Sequence, residues 1–521
     1  MAKSCKLIIQ DEVNIKFEGV DLPTRRKLKQ RVEYFQPHAR HTPAYKLGRW
    51  DGKMSFCDTG GRSYFNLLDR LVPVVVDAGY EVEIEDCRQS IDIALPAVDV
   101  NTFSHKTWPK GHPAEGEPVV LRDYQAEIVD RFMKNPQCVQ EVATGAGKTL
   151  MTAAMSYQAE QYGRSIVIVP NKDLVVQTEK DYKNLGLDVG VYYGDRKEYN
   201  KTHTICTWQS LEVLIKNTAA AERDRGHLSE WGKTQMLLEG TCWCCERPTT
   251  DHASNCVAKN GDIYDFIRGV NTVIVDEVHK AKADVLRRQL STVFRNVPIR
   301  WGLTGTVPKD ELEEVSVTCA LGSVVGQLSS KELQDAGILS KLEIDVVQLQ
   351  DPPMAFPNYA AELKWLTTDK KRLAAFEEMI RTASASGNTL VLVDRLETGR
   401  ILVENNPDWV FISGATKSTD RQTEYEDIST ADNRVIVATY GVAAVGINIP
   451  RIFNLFLFEP GKSFVRVIQS IGRGIRKAKD KDFVQIYDVC SSHKYSKKHL
   501  TARKKYYKEQ EFPFRVSKVK Y

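Results

Sequence analysis

The stretch Val139-Gln140-Glu141-Val142-Ala143-Thr144-Gly145-Ala146-Gly147-Lys148-Thr149 fixes the reading of everything around it. An apolar run with strand character enters a glycine loop. A helical stretch, Leu150–Tyr162, follows and stops at Gly163. Strand, glycine loop and helix in this order form a cradle for a nucleoside triphosphate. Backbone N–H groups point at the phosphates, and the helix N-terminus adds positive potential. Thr144, Gly145, Ala146 and Gly147 supply the cradle, Lys148 is placed to reach the β- and γ-phosphates, and Thr149 offers its hydroxyl to Mg²⁺. The loop departs from the general pattern at Val142, where a glycine is usual.

About 130 residues later, Val273-Ile274-Val275 leads into Asp276-Glu277-Val278-His279. An acidic pair at the C-terminal end of a strand sits where open α/β sheets bind ligands. Alone it reads as a solvated strand end. Paired with the glycine loop, it gives Asp276 as a Mg²⁺ holder and Glu277 as the group that orients and deprotonates an attacking water.

Working outward, short β-branched runs alternate with helical segments: Cys138–Val142, Ser165–Val169, Thr272–Val275, Thr389–Val393, Arg434–Ala438, Leu455–Phe458 and Val484–Val489. This alternation predicts βαβ units and parallel sheets. The chain has 521 residues, 42% hydrophobic and 27% charged, which suits about three domains with proper cores and excludes general disorder. The fold class expected is α/β: two parallel-sheet domains behind a small α+β domain. The domains are placed at residues 1–112, 113–325 and 326–521, the last with a basic tail. Asn101–Pro118, rich in Pro, Gly and polar residues, reads as a linker. No apolar run approaches the roughly 20 residues a bilayer-spanning helix needs, so no membrane partner is expected. The N-terminus MAKSCKLIIQDEV is charged too early for a secretory signal, and the expected address is cytoplasmic, that of the host if the protein is viral.

Net charge is only +4, but it is unevenly spread. Between Ser492 and Tyr521 ten Lys/Arg face two Glu. A second basic stretch runs from Arg25 to Lys53 and is interleaved with Tyr34, Phe35, Tyr45 and Trp50. Cations among aromatics can neutralise phosphates and stack on bases; a solvated tail and helix face is the plainer alternative.

The glycine loop and the DEVH segment resemble those of superfamily 2 helicases and translocases, and further motifs follow in that family's order. Arg122-Asp123-Tyr124-Gln125 is similar to the adenine-reading Q-type motif. Pro170, Leu174 and Gln177 resemble motif Ia, and Thr207-Trp208-Gln209-Ser210 resembles motif Ib. Thr304-Gly305-Thr306 resembles motif III, and Leu390–Arg395 resembles motif IV. Ala438-Thr439-Tyr440 through Gly446-Ile447-Asn448 resembles motif V. Gln469-Ser470-Ile471-Gly472-Arg473-Gly474-Ile475-Arg476 matches Q-x-x-G-R-x-x-R, motif VI. The resemblance spans about Leu121 to Val489. It implies two RecA-like domains that bind ATP and Mg²⁺ between them, with Lys148, Asp276, Glu277 and His279 from the first. Gln469, Arg473 and Arg476 come from the second, the arginines as fingers on the transferring phosphoryl. It places Arg122, Gln125 and Gly446 at the nucleotide, and Pro170, Asn171, Thr207, Arg395 and Thr439 near the nucleic-acid backbone.

Tyr45-Lys46-Leu47-Gly48-Arg49-Trp50-Asp51-Gly52-Lys53 is similar to the G-x-W-D-G segment of bacteriophage UvsW-type helicases. That resemblance implies a DNA-recognition domain, with Arg49, Trp50 and Lys53 at the DNA, although Trp50 in isolation reads as core. It implies ATP-dependent unwinding or branch migration of Holliday junctions, forks and recombination intermediates with 3′ to 5′ polarity. The expected partners are branched or forked DNA and ATP, and single-strand-binding or recombination proteins, around a monomer. The motor motifs leave open an RNA helicase, a duplex translocase that does not separate strands, and an ATPase that only regulates grip.

Eleven cysteines are mostly scattered singly, unlike a disulfide framework. One cluster differs. Within an insertion at residues 211–268, Cys242 and Cys245 form C-x₂-C, and His252 and Cys256 form H-x₃-C. Four such ligands suit a structural Zn²⁺; a free-thiol cluster or a redox pair is the alternative.

Overall fold

The computed structural model describes residues 3–89, 92–110, 114–225, 236, 239–242, 247–248, 250, 261–278, 283–305, 310–416, 423–424, 427–428, 430–442, 449, 451–463, 467–468, 470–472, 475, 478 and 480–521. The chain divides into two compact units, Met1–Glu141 with Thr149–Gln327, and Val142–Lys148 with Leu328–Tyr521. Among the described residues no helix is long and apolar enough to cross a membrane.

The first unit opens with a small α+β layer: β1 (Lys3–Ile9), β2 (Asn14–Glu18), β3 (Glu33–Phe35), β4 (Lys53–Ser55), β5 (Arg62–Tyr64) and β6 (Tyr80–Asp86). Four of these strands form a sheet in the order β5-β2-β1-β6, and β3 pairs with β4. Burial alternates along β1, so Cys5, Leu7 and Ile9 face a core shared with Leu28, Leu71 and Val75 from two helices. Leu71–Val76, an apolar run without a period of its own, lies in the helix Leu68–Asp77.

The same unit carries β7 (Gln137–Val142), β8 (Arg164–Val169), β9 (Val189–Tyr193), β10 (Arg196–Lys197), β11 (His203–Thr207), β12 (Val270–Asp276) and β13 (Ile299–Thr304). With β14 (Val324–Leu328) they form one sheet, ordered β10-β9-β11-β8-β12-β13-β7-β14. The pairs β11–β8, β12–β8, β12–β13 and β13–β7 are parallel. Every residue of β11 and β13 is buried, as expected of strands covered on both faces.

The helix Glu311–Leu321 joins the two layers. Its Val317, Ala320 and Leu321 belong to the core beneath the parallel sheet, and its Val315 and Cys319 belong to the core of the N-terminal layer. Polar contacts add to this seam: Glu12 N–H donates to Arg295 O (3.0 Å) and Asn14 Nδ2 donates to Ser291 O (3.0 Å).

Asn101–Pro118 differs from the linker its composition predicts. Phe103 is fully buried and packs on Tyr157 of the helix Lys148–Ala159, with ring centroids 5.1 Å apart. Thr107 and Pro118 form an antiparallel bridge. One buried aromatic outweighs the Pro/Gly content and pins the segment down.

The second unit is built on β15 (Lys341–Leu349), β16 (Thr389–Val393), β17 (Val410–Ile412), β18 (Val435–Thr439), β19 (Asn454–Phe458), β20 (Phe483–Ser491) and β21 (Phe514–Val519). Their order is β17-β18-β16-β19-β20-β15-β21, and every pairing is parallel. The basic C-terminal stretch is no tail. It forms the helix Lys494–Glu509, which buries Leu500, Arg503 and Tyr507, and then edge strand β21.

Candidate nucleotide and nucleic-acid site

The glycine loop follows directly on β7, whose Glu141 pairs with Thr304 at the end of β13. Gly145 (φ 93°) and Gly147 (φ 83°) adopt left-handed backbone that a side chain would disfavour, which opens the loop toward a ligand. The helix begins at Lys148, with Thr149 in its first turn. Lys148 Nζ donates to Val142 O at 3.3 Å, so its ammonium curls back over the loop where phosphates would lie. Donor backbone, helix start and lysine together fit a triphosphate. Arg122 is exposed and precedes the helix Asp123–Met133. Gln125 is buried, and its Oε1 accepts from the Arg122 N–H at 3.0 Å.

Asp276 ends β12, with its neighbour Leu303 on β13. Glu277 follows at φ 53° and is 6% exposed. A non-glycine residue in this region stores about 1–2 kcal/mol of strain, a cost met where function needs a side chain at a fixed place. The Glu277 N–H donates to Asp276 Oδ1 (2.9 Å), and Glu277 Oε2 accepts from the Gly305 N–H (3.5 Å). The carboxylate pair is therefore linked to the segment Thr304-Gly305. His279, Thr306, Gly446, Gln469, Arg473 and Arg476 lie outside the described residues.

Further along the same sheet edge, Thr207 ends β11 opposite Val169 of β8. Pro170 O accepts from Gln209 Nε2 (3.2 Å). Asn171 caps the helix Lys172–Asn184 through Oδ1, while its buried Nδ2 has no hydrogen-bond partner among the described residues. The Thr207 hydroxyl is engaged locally with Ser210 Oγ (2.9 Å) and accepts from the Ser210 N–H (3.2 Å). In the second unit, Thr439 pairs with Val393 at adjacent strand ends, and Arg395 follows two residues later. Arg395 Nε is also buried without a partner among the described residues. Two of the five residues expected near a nucleic-acid backbone, Asn171 and Arg395, thus hold a donor without a partner among the described residues, and the Thr207 hydroxyl is engaged.

In the N-terminal layer, Trp50 is half-buried outside the core cluster, and its Nε1–H donates to Lys53 O at 3.0 Å. Lys53 Nζ pairs with Glu33 Oε2 at 3.1 Å, and Arg49 is exposed. A Cβ on Gly52 would fall 2.6 Å from the Phe35 ring and 2.9 Å from Tyr45, so this glycine is a packing requirement. In the insertion, Cys242 is buried and its N–H donates to Arg247 O (2.8 Å), next to a bridge between Thr241 and Pro248. Cys245, His252 and Cys256 lie outside the described residues, and no metal-holding cluster occurs among the described residues.

A buried polar network in the second unit escaped the sequence reading. Arg372, fully buried, binds Asp351 Oδ1 (3.0 Å), Glu459 Oε1 (2.7 Å) and Leu366 O (2.6 Å). Burial pushes the Glu459 carboxyl up and the Arg372 guanidinium draws it back down. Beside it, Arg503 grips Asp488 through two nitrogens, both 2.8 Å, and donates to Gly461 O (2.6 Å). The only sequence signal was apolar surroundings around isolated charges, which cannot tell a buried ion from a surface one.

Residues 118–309 match the family model of the type III restriction enzyme res subunit, and residues 371–478 match the helicase conserved C-terminal domain. The ATP-dependent DNA helicase uvsW of Enterobacteria phage T4 is 21% identical over 496 residues, covering 90% of this chain and 87% of that protein. The DNA 3′-5′ helicase XPB of Kineococcus radiotolerans is 22% identical over 407 residues, covering 76% of this chain and 64% of that protein. A fragment of an HsdR subunit of a type I restriction enzyme from Vibrio vulnificus YJ016 shares the fold, with a TM-score of 0.51, 15% identity, and coverage of 97% of this chain and 85% of that one. With these matches on its two RecA-like parallel-sheet domains, the chain is similar to superfamily 2 DNA helicases and resembles the UvsW type of bacteriophage.

Proposed function

We propose that the chain is an ATP- and Mg²⁺-dependent DNA helicase and translocase that unwinds or branch-migrates Holliday junctions, forks and recombination intermediates, moving 3′ to 5′. The observation that carries this reading is the shared edge of the first sheet. The phosphate loop, Asp276-Glu277 and Thr304-Gly305 end its central strands, and Pro170, Asn171 and Thr207 end the strands beside them. Similarity to the T4 helicase over nine-tenths of the chain supports DNA as the substrate.

In this reading Lys148 clamps the phosphates, and Arg122, Gln125 and Gly446 hold the nucleotide. Thr149 and Asp276 hold Mg²⁺, which would neutralise charge on the phosphates. Glu277, fixed by its own backbone and by Gly305, takes a proton from the attacking water. Arg473 and Arg476 stabilise the transferring phosphoryl, with Gln469 and His279 supporting. Arg49, Trp50 and Lys53 contact the substrate DNA. The C-x₂-C and H-x₃-C spacing supports a structural Zn²⁺ that Cys242, Cys245, His252 and Cys256 would hold. The protein acts as a monomer in the cytoplasm, that of the host if viral, alongside single-strand-binding or recombination proteins.

The restriction-subunit family match favours a second reading, translocation along duplex DNA without strand separation. ATP turnover measured with matched single strands, duplexes, forks and four-way junctions, in DNA and in RNA, separates the readings. Strongest stimulation by branched DNA, with ATP-dependent junction dissociation, is expected. Stimulation by plain duplex without dissociation selects the second reading, and stimulation by RNA overturns the substrate.

A further inference from the structure

The helix Lys494–Glu509 divides its side chains between two faces. Ser496, Leu500, Arg503 and Tyr507 are buried, while Lys494, Lys497, Lys498, Lys505 and Lys508 are exposed. Successive lysines are three, one, seven and three residues apart, and at about 100° per residue all five fall on one side of the helix, in a row about 21 Å long interrupted at Thr501.

This row works against its own helix. Lys494 and Lys498, four apart, and Lys505 and Lys508, three apart, repel one another. The first turn contains no acid, although the helix dipole favours anions there. The helix tolerates this because Glu362, 1% exposed, serves as its anionic cap. The Glu362 carboxylate accepts from Tyr495 N–H (3.1 Å) and Ser496 N–H (2.7 Å). That carboxylate is thereby committed to the backbone. Among the described residues, the one carboxylate within ion-pair distance of the row is Glu509, 3.8 Å from Lys505. Aromatic rings border the row: Tyr495 and Tyr506 are half-buried, and Tyr359 is 37% exposed beside His499, with ring centroids 4.7 Å apart.

We propose that this face is a docking track for the phosphodiester backbone of a nucleic acid, separate from the strand-end residues of the motor. It rests on the reading of the chain as a nucleic-acid motor. A linear cation row with flanking rings suits a regularly charged strand whose bases can stack, more than it suits the irregular charges of an acidic protein.

The test uses the full chain with Lys497, Lys498, Lys505 and Lys508 all changed to Gln. A control changes Lys6, Lys134, Lys216 and Lys331 to Gln, four lysines already paired with Glu85, Asp130, Glu212 and Asp335. Affinity for a fluorescent single-stranded oligonucleotide is measured across salt concentrations, with melting temperature and DNA-free ATP hydrolysis as checks. Loss of four phosphate contacts lowers the slope of log affinity against log salt by about 3. The control keeps the wild-type slope, and DNA-free hydrolysis is unchanged in both. Wild-type binding with an unchanged slope in the track variant overturns the track, leaves the motor reading standing, and turns the row over to an acidic protein partner. Absence of binding by the wild type overturns the motor reading and the track with it.

Discussion

At the strand ends of the first parallel sheet, polar groups are held at fixed positions. Glu277 sits in strained backbone, Lys148 leans over its own loop, and Asn171 Nδ2 has no partner among the described residues. Among the described residues of the second unit, two buried arginines are fully paired. Arg372, Asp351 and Glu459 satisfy one another, as do Arg503, Asp488 and Tyr507. Among the described residues, two sheets of the same architecture therefore place charge differently, at fixed strand-end positions in the first and in buried ion pairs beside the second. A buried charge that is fully paired maintains geometry.

If that contrast is right, substitutions at the first sheet should remove activity and spare stability. Lys148→Ala should bring ATP turnover down by about 10³-fold or more while the melting temperature stays put. Glu277→Gln should slow turnover about 10²- to 10⁴-fold with nucleotide binding retained, and normal turnover would remove Glu277 as the base. The second unit should respond in the opposite sense. Arg372→Met leaves two buried carboxylates without their cation and should cost about 3–5 kcal/mol in urea unfolding. A loss under about 1 kcal/mol would show that these carboxylates find water or protons and that the network is not the scaffold.

A smaller effect probes charge in the first sheet away from the site. Burial depresses His203 to about 4, with Asp188 opposing and Glu160 Oε2 3.2 Å from Nε2. Burial outweighs Asp188, since the imidazole side chain is fully covered. An unfolded histidine titrates near 6.5, so between about pH 6.5 and 4 the unfolded chain takes a proton that the folded one refuses. Stability present above pH 6.5 should therefore fall by up to about 3 kcal/mol as pH drops through that window. His203→Gln should flatten this segment of the stability–pH curve.

The parts legible in sequence are those whose signal is local. β7 with its glycine loop, β8, β12, β16 and β19 are mostly buried runs next to turn or motif residues, and the structure has strands there. Edge strands escape that logic. β21 has only half-buried and exposed positions, and two of its six residues are cationic, so it reads as solvated charge. β14, with Val324 and Val325 exposed, lacks a buried face to announce it. The site divides the same way. Phosphate-binding groups follow one another along the chain and can be read together. Whether a side chain is free to touch DNA depends on neighbours far away in sequence, as with Lys53 and its partner Glu33, twenty residues apart.

The helix Glu311–Leu321, with one face in each of two cores, bears on how the protein can be dissected. Cutting the chain near residue 118 to isolate the motor would strip the cover from Leu312, Val315 and Cys319. That bare apolar strip would invite self-association, so a trimmed motor would need polar replacements there to remain monodisperse. The N-terminal layer is in this sense half of a wall, and the motor cannot be excised along its family boundary without rebuilding the other half.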